Sequence, residues 1–319
     1  MFVNHSKVQQ VLYDVMGEVT TVFPNEIVSE RVMPLVKRLP SFKKVDPNKM
    51  LSTHNNILIR RTHALGDVVL LFPIVNYLKK IGKNVILCAN SQYRLEGLNF
   101  MISDAKNFID RFDIAYNLFG VPELDHCDST LFEKSRLDIY CDFMGIKDLG
   151  IPDWTIPIKC VDFPKDVIGV QLSGSTQHKT INTKGIIKAL SKKFKVFIID
   201  RNKPKFNRPN VLHERVDNAT LLAYINKMIG IVCFDSGPLW LSHVANTPAF
   251  VIVGPTSGKK VTKYHPNSNT TFYDTKTGVK CKRACGESMH NCKGKYSCMK
   301  SVNQVDLLSK INDWSEAIV

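Results

Sequence analysis

Three short polar segments each follow an apolar run, and each carries residue types that handle phosphate or a proton. The first is Arg60-Arg61-Thr62-His63-Ala64-Leu65-Gly66-Asp67. A carboxylate at Asp67 either caps backbone N–H groups at a helix start or serves as a general base for an attacking hydroxyl. The adjacent guanidiniums of Arg60 and Arg61 suit a phosphate. The second segment is Gln171-Leu172-Ser173-Gly174-Ser175-Thr176-Gln177-His178-Lys179. Glycine and small hydroxyl residues let backbone N–H groups approach a phosphate, and Lys179 adds charge. The same composition also makes an ordinary polar turn. It is not a P-loop, because the Gly-Lys-Ser/Thr spacing is absent. The third is Phe234-Asp235-Ser236-Gly237-Pro238-Leu239-Trp240-Leu241-Ser242-His243. Pro238 fits a first helical turn, which puts Ser236 and Gly237 at the positive end of a helix, a ready anion site. The alternative there is an N-cap and nothing more. Trp240 either stacks on a sugar or base or packs into the core.

The elements around these segments alternate. Ile57-Leu58-Ile59 reads as a buried strand, Val68 to Leu78 as a helix stopped by Lys79-Lys80 and Gly82, and Val85-Ile86-Leu87 as the next strand. Strand, helix and strand within about 30 residues predict a parallel sheet. Thr130 to Met144 reads as a helix closed by Gly145. A second array follows: strands at 167–170, 196–199, 229–233 and 250–253, with helices at 184–190, 220–228 and 238–245. A proline-marked linker runs from Gly150 to Pro164. In residues 1–54, Val8, Val11, Leu12, Val15 and Val19 recur at helical spacing, as do Ile27, Val28, Val32, Leu35 and Val36, so a helical extension is expected. The expected fold is α/β, with two facing Rossmann-like doubly wound domains, 55–160 and 161–319, and a cleft between them. Ligands of such sheets sit beyond the carboxyl ends of the strands, where all three polar segments begin.

Ile57-Leu58-Ile59, Arg61, Leu65-Gly66-Asp67-Val68 and Pro73 together resemble the opening motif of glycosyltransferase family 9, the lipopolysaccharide heptosyltransferase-like enzymes. Asp235-Ser236-Gly237-Pro238, then Thr247-Pro248 and Gly254-Pro255-Thr256, resembles that family's second signature, and the four C-terminal cysteines resemble its tail. The resemblance covers about residues 55–318. It implies a GT-B-type glycosyltransferase that needs no metal for catalysis and uses a nucleotide-diphosphate sugar as co-substrate. It makes Asp67 the catalytic base. By the same resemblance Ser173, Gly174, Ser175, Lys179, Ser236 and Gly237 would bind the donor's diphosphate and Asp235 would contact the donor; by position alone, Arg61 and Trp240 are further candidates for the donor, and Arg60, His63 and Gly66 for the acceptor. The sequence departs from the pattern in four places, one of them a loop before Lys179 about one residue shorter than usual. Trp240 stands where the family usually has His, with His243 three residues further on. Ile181-Asn182 replaces the usual Trp-Pro after the lysine, and residues 1–54 have no family counterpart. Two absences agree with the class. No Asp-x-Asp pair disposes a metal-held diphosphate, and no Gly-x-Gly-x-x-Gly disposes a dinucleotide.

The 319 residues carry 43 Lys and Arg against 29 Asp and Glu, a net charge of +14, which points to an anionic partner. Basic runs lie at 37–49, 192–208 and 276–300. The acceptor expected from this charge is a polyanion. One choice is a hydroxymethylated cytosine in DNA, as in bacteriophages, with the base exposed for transfer and Tyr264 and Tyr296 beside basic loops. The other is the phosphorylated core of lipopolysaccharide. DNA is favoured by the N-terminal extension, Trp240 and the spread of lysines. A rival from another class is a non-catalytic nucleic-acid-binding protein on a transferase scaffold. Cys281, Cys285, Cys292 and Cys298 could hold a structural zinc, remain reduced, or form a labile disulfide. Cys88, Cys127, Cys141, Cys160 and Cys233 read as reduced core thiols. No apolar run reaches the roughly 18 residues of a membrane helix, and the N-terminus lacks a signal-peptide layout. A cytoplasmic protein is expected (host cytoplasm if phage-encoded), or one peripheral to the inner membrane if its acceptor is lipopolysaccharide.

Overall fold

The computed structural model describes residues 1–4, 10–13, 19–22, 25–29, 33–62, 64–95, 100–102, 112–119, 121, 134–174, 179–200, 208–276 and 297–319. The chain divides into two compact units, Met1–Ile156 and Pro157–Val319.

The first unit contains β1 (Phe2–Asn4), β2 (Gln10–Tyr13), β3 (Val19–Val22), β4 (Glu26–Val28), β5 (Phe42–Lys44), β6 (Asn56–Arg60), β7 (Asn84–Ala89), β8 (Phe100–Ile102) and β9 (Ile114–Asn117). Seven of them form one sheet in the order β5-β1-β4-β9-β6-β7-β8. The run from β4 to β8 is parallel, and β1 lies antiparallel to both its neighbours. Parallel strands covered on both faces are apolar throughout, and Ile57, Leu58 and Ile59 of β6 are all buried. The chain steps outward from β6 to β7 and β8, then returns to the other side of β6 as β9. The strand order therefore reverses between β6 and β9. The loops leaving the carboxyl ends of those two strands border a crevice of the kind that takes ligands in open α/β sheets. The Arg61–Asp67 segment leaves β6 at that place.

The apolar stretch after this segment is two helices, Leu65–Val69 and Phe72–Lys80. Pro73 explains the break: it has no N–H to continue the first helix and fits the opening turn of the second. The helix Arg136–Met144 starts with a reciprocal capping box between Ser135 and Asp138 and ends at Gly145. Gly145 has φ +77°, and a Cβ there would meet the backbone N of Asn48 at 2.6 Å, so the position needs glycine on both counts.

The helical reading of residues 1–54 is corrected. This segment supplies β1 to β5, the 3-10 helix Pro34–Arg38 and only one α-helix, Pro47–Thr53. Val11 and Leu12 lie in β2, Val19 in β3, and Ile27 and Val28 in β4, while Val8, Val15 and Val32 fall outside the described residues. Val, Ile and Thr dominate here, and β-branched side chains suit a pleated surface better than a helix. Tertiary pairing decides the outcome, because β4 adds directly to β9. These residues extend the first sheet rather than forming a separate appendage.

The second unit contains β10 (Val167–Gln171), β11 (Lys195–Ile199), β12 (Val211–Leu212), β13 (Gly230–Phe234), β14 (Ala249–Val253) and β15 (Thr271–Asp274). All pair in parallel, in the order β12-β11-β10-β13-β14-β15. Counted from the first strand of the unit this is 3-2-1-4-5-6, the doubly wound nucleotide-binding order. Its reversal lies between β10 and β13, so the second and third polar segments flank one crevice. The C-terminal helix Gln304–Ala317 lays Leu307, Ile311 and Trp314 on this core at helical spacing. Among the described residues, no helix is long and apolar enough to cross a membrane.

Candidate functional site

In the first unit, Asp67 sits in the opening turn of the helix Leu65–Val69. No side chain caps this helix, so the capping alternative for Asp67 does not describe it. The turn enters through Ala64 at φ 64°, ψ 115°, a conformation that L-residues rarely adopt. Arg61 Nη2 donates to Asp67 Oδ2 at 2.5 Å, and Arg136 Nη1 donates to Oδ1 at 2.8 Å. Asp67 is 2% exposed. Burial on its own pushes this carboxyl up, but the charges of Arg136 and Arg61 outweigh it and hold the group below the usual carboxylate range. Arg61 Nη1 also donates to the Leu118 carbonyl just beyond β9, spanning the strand-order reversal. Arg60 turns elsewhere: its Nη1 donates to the Thr21 carbonyl at 2.7 Å and to buried Glu26 at 3.1 Å, tying β6 to the N-terminal strands. Gly66 is buried in the helix, its carbonyl accepting from Leu70 N–H. His63 lies outside the described residues.

In the second unit, Gln171 at the end of β10 ties the two loops together. Its Oε1 accepts from Phe234 N–H and from Ser236 Oγ, and its Nε2 donates to the Ser173 carbonyl. Lys179 is buried, and its Nζ donates to the Asp235 carbonyl at 2.9 Å and to Asp235 Oδ2 at 3.2 Å. Gly174 is packed against that lysine; a Cβ there would come within 2.6 Å of Lys179 Cβ. Gly174 N–H donates to Thr180 Oγ1, and Ser173 Oγ to Asp200. Ser175 lies outside the described residues. Gly237 opens the helix Gly237–Ala245; Ser236 makes no side-chain cap to it, and its hydroxyl donates to Gln171 Oε1. An N-terminus without a capping side chain, beside an ammonium, suits an anion.

Trp240 is a packed aromatic. It is buried, with its ring 4.8 Å from that of His243, which in turn lies 4.2 Å from His265. Burial pushes His243 down to about 4, and burial together with the nearby His243 pushes His265 down to about 2. Cys88, Cys141, Cys233 and Cys298 are buried, whereas Cys160 is exposed. Cys127, Cys281, Cys285 and Cys292 lie outside the described residues. Among the described residues, no group of three or more His, Cys, Asp or Glu could hold a metal.

Sequence reasoning found Asp67, Arg61, Lys179 and Asp235 as residues and missed the two that organise them, Arg136 and Gln171. Gln171 was within the polar segment, but a strand-end amide has no signature of its own. Arg136 is 69 positions from Asp67, and no local pattern links the two.

No family model matches the chain, and no curated protein matches it by sequence. Solved structures do. The glycosyl transferase family 9 protein from Veillonella parvula superposes with TM-score 0.57 at 12% identity, covering 82% of this chain and 97% of its own. The iron-containing heptosyltransferase TibC of enterotoxigenic E. coli, in complex with ADP-D-beta-D-heptose, gives 0.60 at 12%, covering 98% and 92%. E. coli heptosyltransferase WaaC with ADP gives 0.53 at 9%, covering 81% and 99%. The chain thus has the α/β fold of these transferases, the GT-B type built on two Rossmann-like sheets.

Proposed function

We propose that the protein is a glycosyltransferase that moves a sugar from a nucleoside-diphosphate sugar to a hydroxyl of a polyanionic acceptor. The observation that carries the reading is the pair of loops after β10 and β13. They flank the strand-order reversal of a nucleotide-binding sheet and bring Lys179, Gly174 and a helix start without a side-chain cap together. In the mechanism, the acceptor oxygen attacks the anomeric carbon. The bond from that carbon to the diphosphate breaks, and its electron pair leaves with the diphosphate. Asp67 takes the acceptor's proton. Ser236, Gly237 and Lys179, with Ser173 and Gly174 and, from its place in the sequence, Ser175, stabilise the charge growing on the leaving group. Asp235 fixes Lys179 and contacts the donor.

Adenosine diphosphate sugars are the first donors to try, since TibC and WaaC were seen with ADP-D-beta-D-heptose and ADP. For the acceptor, the exposed Lys37, Arg38, Lys43, Lys44, Lys49, Lys192, Lys195 and Arg208 favour a polyanion. The case for DNA loses one of its supports: Trp240 is packed inside. Hydroxymethylated duplex DNA and lipopolysaccharide core are therefore tested side by side with a panel of nucleotide sugars, by the mass gained by the acceptor. Transfer to either supports the reading and selects the acceptor. Nucleic-acid binding with neither donor binding nor transfer would install the non-catalytic reading instead.

The four C-terminal cysteines form a structural metal site in this proposal. A thiolate set suits zinc or iron, and TibC is named as iron-containing. Metal analysis of the purified protein should find about one equivalent, lost in Cys298→Ser. Metal-free, fully folded protein would contradict it.

A further inference from the structure

Both oxygens of the Asp67 carboxylate are taken, Oδ2 by Arg61 and Oδ1 by Arg136. The carboxylate is 2% exposed, so a hydroxyl reaches it only after one of its partners moves. The two arginines differ. The Arg61 side chain is 3% exposed. The Arg136 side chain is 21% exposed and belongs to the first residue of its helix, so of the two guanidiniums it is the one within reach of solvent and of a bound oxyanion. A neutral hydroxyl does not displace a guanidinium from a carboxylate, because charge-assisted hydrogen bonds are roughly twice as strong as neutral ones. A competing oxyanion does, and the planar guanidinium fork matches phosphate in two-point contact.

We infer that Arg136 is a latch on Asp67 which an oxyanion of the acceptor opens, so that the hydroxyl to be glycosylated lies beside a phosphate. The inference deepens the proposed function and rests on Asp67 being its base. Arg136 is a positioning residue: when it leaves for the phosphate, Oδ1 is released toward the acceptor hydroxyl while Arg61 keeps the carboxylate in place. The device makes the base available only when an acceptor of the right charge is bound. The phosphate can belong to a phosphorylated sugar or to a phosphodiester chain.

Asp carboxyl carbons labelled with 13C test the latch without any transfer reaction. The Asp67 signal is the one lost in Asp67→Asn, and Arg61 and Arg136 are the charged groups acting on it. In wild type its midpoint should rise by about one pH unit or more when inorganic phosphate or a short DNA duplex is added, as one of two guanidiniums withdraws. The probe that acts at lower concentration identifies the source of the phosphate. Arg136→Gln should show the raised midpoint without any addition and respond to neither probe. Should that variant not fold, Arg136→Lys, which keeps the charge but not the fork, should respond at higher phosphate concentration than wild type. A midpoint that neither probe moves in wild type, or that moves equally in the Arg136 variant, overturns the inference. In transfer assays, wild type should prefer an acceptor over its phosphatase-treated form by at least ~tenfold, mostly in KM, a factor consistent with one charge-assisted pair. Arg136→Gln should lose that preference. Failure of all transfer would count against the glycosyltransferase reading, while the carboxyl titration still decides the latch.

Discussion

A buried carboxylate held by two guanidiniums is an unusual resting form for a proposed base, since the contacts that keep Asp67 ionised also occupy its oxygens. The second unit, taken by itself, follows the same economy: the Lys179 ammonium is held by the carbonyl and the carboxylate of one residue, Asp235. Lys179→Met removes the cation from a buried carboxylate. Unfolding free energy in denaturant should fall by about 3 kcal/mol or more, and donor affinity by calorimetry should fall at least about tenfold, the worth of a single charged contact. Unchanged donor affinity would take Lys179 out of the donor site. At this scale the sequence was readable for residue type and place. Asp67, Lys179 and Asp235 each lie in a segment that leaves the carboxyl end of a strand, where function collects in open sheets. It was not readable for partnership. Arg136 reaches Asp67 across 69 positions, and Trp240, equally consistent with a stacking platform, is enclosed by His243 and its surroundings.

Elements show a different division. The strands β6, β7, β10, β11, β13 and β14 are continuous apolar runs because parallel strands are covered on both faces, and that pattern needs no context to be seen. The short strands of the first 54 residues exist because β4 pairs with β9 and β1 pairs with β4, contacts that no local window contains. Helical spacing there was an accident of closely set β-branched residues. β9, with its sequence Ile-Ala-Tyr-Asn, is similarly unmarked, although it supplies the second wall of the first crevice. The helix Arg136–Met144 bears on the proposed latch because Arg136 is its first residue. Ser135→Ala breaks its capping box and should cost about 1 kcal/mol in denaturant unfolding. It should also raise the Asp67 midpoint, by loosening the turn that carries Arg136. A stability loss with no change at Asp67 would separate the cap from the site.

Across the whole molecule, net charge and buried histidines set the response to solution conditions. His243 and His265 are neutral in the fold, held down to about 4 and about 2, against 6.5 in an unfolded chain. The unfolded chain binds the extra protons below 6.5, so stability from these groups is complete above 6.5 and falls as pH drops. The loss continues to about 4 for His243 and to about 2 for His265. Between pH 6.5 and 5 each histidine should account for about 2 kcal/mol. Asp67 acts later, losing its contribution only as pH falls below the usual carboxylate range. Denaturant unfolding at pH 7.5 and 5 should show the drop, and His265→Gln should reduce it; equal stability at both would refute the buried neutral pair. A net charge of +14 should also make acceptor binding weaken steeply with salt. The most direct measurement for the account as a whole is nucleoside-diphosphate release with saturating donor and acceptor, comparing wild type with Asp67→Asn. Loss of general-base catalysis should slow turnover by about a hundredfold or more, with donor affinity by calorimetry unchanged. Turnover by Asp67→Asn at the wild-type rate would contradict the account.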